Sequence, residues 1–303
     1  MHKSRFRLPG EIILLIAAIV WGTSFVAQSV GSENVESFTF NGVRCLIGAL
    51  VLFLTVKVIG YKPSKEEQKK LWLGGAVCGV LLFFAVNLQQ LAISYVDAAG
   101  NKALVGKVGF LTALYILFVP IIGIFFRKKT GFMVWISVVI AVVGAYLLTG
   151  GEAGAGKMNL SDLYAILCAV MFALQIIAVD KYAPDVDCIR LSMVQFIVCG
   201  VLSMITAFLF EEPNLPSLMD AKWSILYSGI MSSGIAYTLQ MLGQKNCRRP
   251  QVASLIMSLE SVICTLSGFV FLHQTLSVRE LIGCALMFAA VVLTQVKTGE
   301  ANG

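Results

Sequence analysis

Two full charges stand inside long apolar stretches of this chain: Arg44 in "FNGVRCLIGALVLFL" and Glu260 in "VASLIMSLESVICTLSGFVF". A guanidinium presents five donors in a fixed fork suited to an anionic group. A carboxylate can accept a cationic group or take up a proton. Amides and aromatic rings recur in the same apolar setting: Asn41 one turn before Arg44, Gln175, Gln240, Trp21, Tyr115 and Tyr237. A mid-helix amide needs a partner on another helix or a wet cavity, and a ring offers a face or a hydroxyl. These eight residues form a candidate binding set. The plainer readings are an Arg44 that snorkels to an interface, amides that glue helices, rings that pack, and a Glu260 that is paired or kept protonated. No catalytic residue is expected. The chain has no G-x-x-x-x-G-K-[ST] and no H-E-x-x-H, and its eight cysteines have no C-x-x-C spacing, so neither ATP drive, nor a metal, nor a cofactor is implied.

What these side chains can do depends on the solvent around them. Of 303 residues 58% are hydrophobic and 13% charged, against roughly 25% charged in a soluble domain. That is too little charge to cover a water-facing surface, so the chain is read as an integral membrane protein with a lipid bilayer around it. The net charge of +6 comes from short basic clusters between apolar runs, which argues against nucleic acid as a partner. The first apolar run continues without a cleavage site and is read as a retained helix rather than a signal peptide.

With about 20 apolar residues per span, the chain divides into ten transmembrane helices: 12–30, 37–59, 71–95, 103–126, 132–149, 161–179, 190–210, 223–244, 251–272 and 276–296. If the N-terminus is cytoplasmic, 17 Lys and Arg residues fall inside and five outside, with Arg44 within a span. The positive-inside bias therefore puts both termini in the cytoplasm and supports an even number of spans.

The Gly-rich stretch "TGGEAGAGKMNLS" splits the chain into two five-helix halves, 12–149 and 161–296. An odd number of spans per half inverts one half against the other, the construction of many secondary transporters, with the binding site at the midplane between halves. Faint internal similarity agrees: "AAIVWGTSFVAQ" can be laid on "LCAVMFALQIIA", and "LYILFVPIIGIFF" on "LIMSLESVICTLS", which brings Pro120 near Glu260.

In order along the chain, "IVWGTSFVAQ", "FNGVRCLIGALVLFL", "GFLTALYILFVPIIGIFF", "VVGAYLLTG", "YTLQMLGQK" and "ASLIMSLESV" resemble the EamA-like branch of the drug/metabolite transporter superfamily. The resemblance covers essentially the whole chain. It implies an all-α integral membrane fold of ten helices in two inverted five-helix repeats, in the inner membrane, and secondary transport of small metabolites such as amino acids, related compounds or drugs. Two departures stand out. Where the family often carries Gly-Glu after the ninth helix this chain has His273-Gln274, and "VDAAGNKALVGKVG" is a longer connection that adds Lys102 and Lys107, expected as interfacial anchors.

The expectation is a carrier that exports by alternating access, with Glu260 and Arg44 recognising charge and with proton coupling through Glu260 as one energy source. A channel or structural membrane subunit is the alternative. A membrane enzyme would need acidic and His residues converging at one face, which the scattered loop positions do not offer.

Overall fold

The computed structural model describes residues 9–59, 64–125, 132–149, 158–246 and 250–297. Helices make up nearly all of it: α1 (Gly10–Gly31), α2 (Ser37–Ile59), α3 (Lys65–Ile93), α4 (Val105–Ala113), α5 (Tyr115–Phe125), α6 (Phe132–Thr149), α7 (Leu160–Tyr182), α8 (Cys188–Phe210), the short α9 (Leu215–Asp220) and α10 (Lys222–Leu226), a π-helix (Tyr227–Ala236), α11 (Tyr237–Asn246), α12 (Pro250–Leu272) and α13 (Val278–Lys297). Six helical stretches among the described residues are long and apolar enough to cross a membrane, and shorter apolar runs lie at Trp135–Leu148 and Leu259–Leu272. The Gly-rich connector around 150–157 lies outside the described residues.

The outward faces are as apolar as the inward ones. On α6, Trp135, Val139, Val142 and Tyr146 are exposed at helical spacing, while Ser137, Ala141 and Leu148 are buried. A soluble helix would put charge on the first of these faces; a helix in lipid has no reason to.

Helix boundaries differ from hydropathy where capping extends a helix into water. The third helix starts at Lys65, not at 71, because Ser64 accepts the Glu67 N–H and the Glu67 carboxylate accepts the Ser64 N–H. This capping box satisfies orphan amides at the first turn. Asn159 and Asp162 do the same for α7. The expected fourth span is broken at Leu114 into α4 and α5, and the expected eighth carries the π-helix in its middle. The α12–α13 link closes at His273, whose φ of 53° is rare for a residue other than glycine. Gln274 follows it: its N–H donates to the Gly268 carbonyl, and its side-chain oxygen accepts the Val105 N–H. The amide at the departure from the family pattern thus ties the end of α12 to the start of α4.

Packing between the halves has a regular form. α1 packs on α12 while α7 packs on α4 and α5; α1 packs on α11 while α7 packs on α3; α2 packs on the π-helix while α8 packs on α3. Three further cross-half pairs, α2 with α8, α4 with α12 and α6 with α13, each join corresponding helices. The extensive contacts between halves therefore have their mates under exchange of the halves. Close approach needs small residues at the crossings. A Cβ on Gly22 would meet Ile263 at 2.7 Å and the Glu260 carbonyl at 2.9 Å, so α1 and α12 touch backbone to backbone beside Glu260.

Candidate functional site

Between the halves lies a cavity of about 460 Å³, walled by α1, α2, α3, α4, α5, α7, α8, the π-helix, α11 and α12. Seven of the eight candidate residues line it: Trp21, Arg44, Tyr115, Gln175, Tyr237, Gln240 and Glu260. Asn41 does not. It is fully buried behind the wall and holds Arg44 in place.

Arg44 is 5% exposed, so the snorkelling reading does not hold. Its Nε donates to Asn41 Oδ1 at 2.6 Å. Asn41 Nδ2 in turn donates to the Val86 carbonyl and to Asn87 Oδ1, and Asn87 Nδ2 donates to the Phe83 carbonyl and to Ser203 Oγ. This chain of amides crosses from α2 through α3 to α8. It fixes one edge of the guanidinium of Arg44, which lines the cavity, and among the described residues no hydrogen bond or ion pair reaches the terminal nitrogens.

Glu260 is half-buried on α12 and faces the same cavity. Among the described residues no hydrogen bond or ion pair reaches its carboxyl group. The ion pairs there are Lys70–Asp185, Lys102–Glu33 and Lys107–Asp162, so Arg44 and Glu260 are not partnered with each other. Tyr237 lines the cavity together with both. The site thus presents a guanidinium and a carboxyl group, neither ion-paired among the described residues, across a shared space. In an apolar medium that arrangement calls for a ligand, an ion or water to complete it.

Aromatic residues shape the rest. Trp21 donates its Nε1–H to the Ser232 carbonyl at 3.1 Å and meets Tyr237 edge-on at 5.1 Å; Tyr237 meets Phe196 edge-on at 4.9 Å. Tyr115 leans on Phe172 at another part of the cavity wall. Gln175 is both glue and lining, donating to Gln195 Oε1 at 3.0 Å while facing the cavity.

Gln195, Ser24, Gln28, Thr112, Ser232 and Ser233 also line the cavity and are absent from the candidate set. Ser24 Oγ, Gln28 Oε1 and Thr112 Oγ1 are buried with no hydrogen-bond partner. An amide in the middle of an apolar helix is the signal for Gln175 and Gln240, and it applies equally to Gln195. Serines and threonines give no such signal, because they bond back to their own helix, as Thr23 does to Ile19. Lys102 and Lys107, expected as interfacial anchors, each take part in an ion pair, Lys102 with the exposed Glu33 and Lys107 with the buried Asp162. The side chain of Pro120 lies outside the described residues.

The cavity runs toward one end of the bundle. It reaches Ala183, Cys188 and Leu191 at the α7–α8 connection, and stops at Gln28 and Gln89 before α1 and α3 end. Beyond that stop the halves are tied together: Lys107 to Asp162 at 2.8 Å, Ser161 Oγ to the Ala92 carbonyl, and Glu211 accepting the N–H groups of Phe38 and Thr39 and the Thr39 hydroxyl.

The sequence matches the EamA-like transporter family twice, over residues 8–150 and 159–296. An uncharacterized transporter of Archaeoglobus fulgidus is 24% identical over 296 residues, covering 96% of this chain and 87% of that one. The uncharacterized transporter YoaV of Bacillus subtilis is 23% identical over 295 residues, covering 92% and 94%, and the uncharacterized inner membrane transporter YedA of Escherichia coli K12 is 24% identical over 296 residues, covering 95% and 92%. A solved crystal structure has the same fold, with a TM-score of 0.68 at 19% identity over 97% of this chain and 99% of that chain.

Proposed function

The chain belongs to the EamA-like transporter family, a multi-pass membrane protein that moves small molecules across a bilayer, and we propose how it does so. It is a secondary carrier of ten spans in two inverted five-helix halves, 12–149 and 161–296, with both termini in the cytoplasm. The halves rock about the central cavity and expose it to one side at a time. Mirrored packing across the halves supports this, because an arrangement whose contacts come in exchanged pairs has a second, equivalent arrangement open at the other end.

The observation that carries the reading is the cavity itself: about 460 Å³ between the halves, holding Arg44 and Glu260 without counter-ions. Arg44 receives an anionic group, Glu260 a cationic one, and Trp21, Tyr115, Tyr237, Gln175 and Gln240 form the walls. Asn41 positions Arg44. In the conformation seen, the cavity reaches the α7–α8 connection, beside which Lys181 and Arg190 lie. The excess of basic residues makes that side cytoplasmic, so this is the inward-facing state; the direction we propose, export, comes from the family resemblance. Glu260 couples export to a cation gradient, of which a proton gradient is the simplest, or to exchange of substrates.

The test starts from metabolite profiles of an overexpressing and a deletion strain, which identify the exported compound. Counterflow of that compound in proteoliposomes then compares wild type with Glu260→Gln and Arg44→Gln. The expected result is loss of counterflow in both variants with normal membrane expression. Wild-type counterflow in both would overturn the assignment.

A further inference from the structure

We propose that the break between α4 and α5 and the Glu260 carboxyl group together form a binding site for a single sodium ion, distinct from the substrate cavity but sharing its Glu260 wall. This deepens the carrier reading above and rests on it for the ion's role, though not for its binding.

Four observations converge on the spot. A crevice of about 10 Å³ lies between α12 and the broken fourth span, lined by Gly109, Thr112, Ala113, Tyr115, Ile116, Met257, Glu260 and Ser261. That volume holds one water-sized particle and nothing larger. Glu260 borders it, and its carboxyl group has no hydrogen-bond or ion-pair partner among the described residues. Thr112 is 4% exposed and lines the same crevice, and among the described residues its Oγ1 has only the Cys168 thiol, a weak hydrogen-bond partner, beside it. Finally, the helix is interrupted at this level. The Leu114 N–H turns back to the Leu111 carbonyl and the Leu117 N–H to the Leu114 carbonyl, which diverts both donors from the Phe110 and Ala113 carbonyls they would serve in a continuous helix; of these two acceptor residues, Ala113 lines the crevice.

Those groups are oxygens: a carboxylate, a hydroxyl and backbone carbonyls released from their ladder. That is the donor set of a hard cation, and interrupted membrane helices at the midplane are where such ions are held. The charge of the ion follows from the charge of the site. One carboxylate in an apolar surrounding balances one positive charge, so a monovalent ion fits and a divalent ion would remain half-compensated. A bare proton would use the carboxylate and leave the Thr112 hydroxyl and the diverted carbonyls unexplained.

The position also gives the ion a function. Thr112, Tyr115 and Glu260 line both the crevice and the large cavity. An ion seated on Glu260 neutralises the wall that a cationic group of the substrate would otherwise meet. Ion and substrate then compete for one carboxylate, which is the requirement for obligate exchange of one against the other.

The experiment measures equilibrium binding of radioactive sodium to the purified full-length chain in detergent micelles, with unlabelled sodium, lithium and potassium as competitors. The expected result is saturable binding of one sodium per chain, displaced by sodium and lithium and poorly by potassium. Thr112→Val, which removes the hydroxyl and keeps the shape, should weaken the binding, and Glu260→Gln should abolish it, with both variants eluting as the wild type on size exclusion. Absence of saturable binding, or wild-type binding in Thr112→Val, overturns the site. If sodium does not bind while Glu260→Gln still stops counterflow, the carrier reading stands and the carboxylate serves a proton. If sodium binds as expected while counterflow survives both Glu260→Gln and Arg44→Gln, the ion site stands and the assignment of the substrate cavity fails.

Discussion

At the end of the bundle where α2, α4 and α7 begin, the halves are joined by contacts shielded from water. Lys107 and Asp162 pair with side chains 13% and 2% exposed, Ser161 bonds across to Ala92, and the Glu211 carboxylate caps the start of α2. At the other end, the ion pair between halves is Lys70–Asp185, with side chains 59% and 57% exposed, and the cavity approaches the surface there. An ion pair in water contributes little, whereas a shielded one is expensive to break by removing a single partner. The contrast shows how a carrier can be biased to one state. In the proposed rocking cycle, strong ties at one end and a weak one at the other would leave the cavity facing the weak end, and the free energy of the ties would set how much substrate or ion binding must supply to reverse the bias.

Substitutions can dissolve this asymmetry in graded steps. Lys107→Ala leaves Asp162 buried without its counter-ion and should have the largest effect, about 3–5 kcal/mol against the tied end, seen as a lower unfolding temperature in detergent and a shift toward the opposite-facing state. Asp162 also caps α7, so the double variant Lys107→Met with Asp162→Asn, which removes both charges, should recover much of the loss. Glu211→Ala removes charge-assisted bonds to two backbone amides and a hydroxyl, with an expected cost of about 1.5–3 kcal/mol in the same thermal assay.

Gly22→Ala acts at neither end but at the crossing of α1 and α12, where the new methyl would sit 2.7 Å from Ile263 and 2.9 Å from the Glu260 carbonyl. Overpacking of this kind costs about 1–2 kcal/mol, and displacement of Glu260 should lower counterflow more than it lowers stability. Lys70→Ala should be the mildest, below about 1 kcal/mol, with counterflow close to wild type. Equal effects of Lys70→Ala and Lys107→Ala would mean that the two ends do not differ in strength.

Some of this is legible in the sequence, and the rest is hidden for physical reasons. A lone charge in an apolar run is conspicuous because lipid penalises it, and so Arg44 and Glu260 stand out from the sequence alone. Asn41 is conspicuous in the same way, yet its polarity does not reveal its role. Its partners Val86 and Asn87 lie on another helix, and only the packing shows that it serves Arg44 rather than a ligand. Lys107 and Asp162 sit 55 residues apart near helix starts, where hydropathy sees ordinary flanking charges. Their pairing comes from the crossing of α4 with α7. Nor does the interruption at Leu114 announce itself. Pro120 is the visible breaker in that span, yet α5 runs through it and the break falls six residues earlier, at a leucine of good helix propensity. Hydropathy finds the core of most helices and misses their ends, as at Ser64 and Asn159, because capping is a matter of hydrogen bonds rather than of apolarity.

Whether the halves rock can be decided by a pair of distance distributions from spin labels by pulsed electron resonance, one across each end of the bundle. Labels on Glu36 and Glu212 span the halves at the tied end, and labels on Lys69 and Lys181 span them at the end the cavity approaches; all four positions are exposed. In lipid nanodiscs, Lys107→Ala should lengthen the first distance and shorten the second together, the two ends opening in alternation. If both distances change in the same sense, or only the first changes, the protein does not rock about its central cavity and alternating access fails.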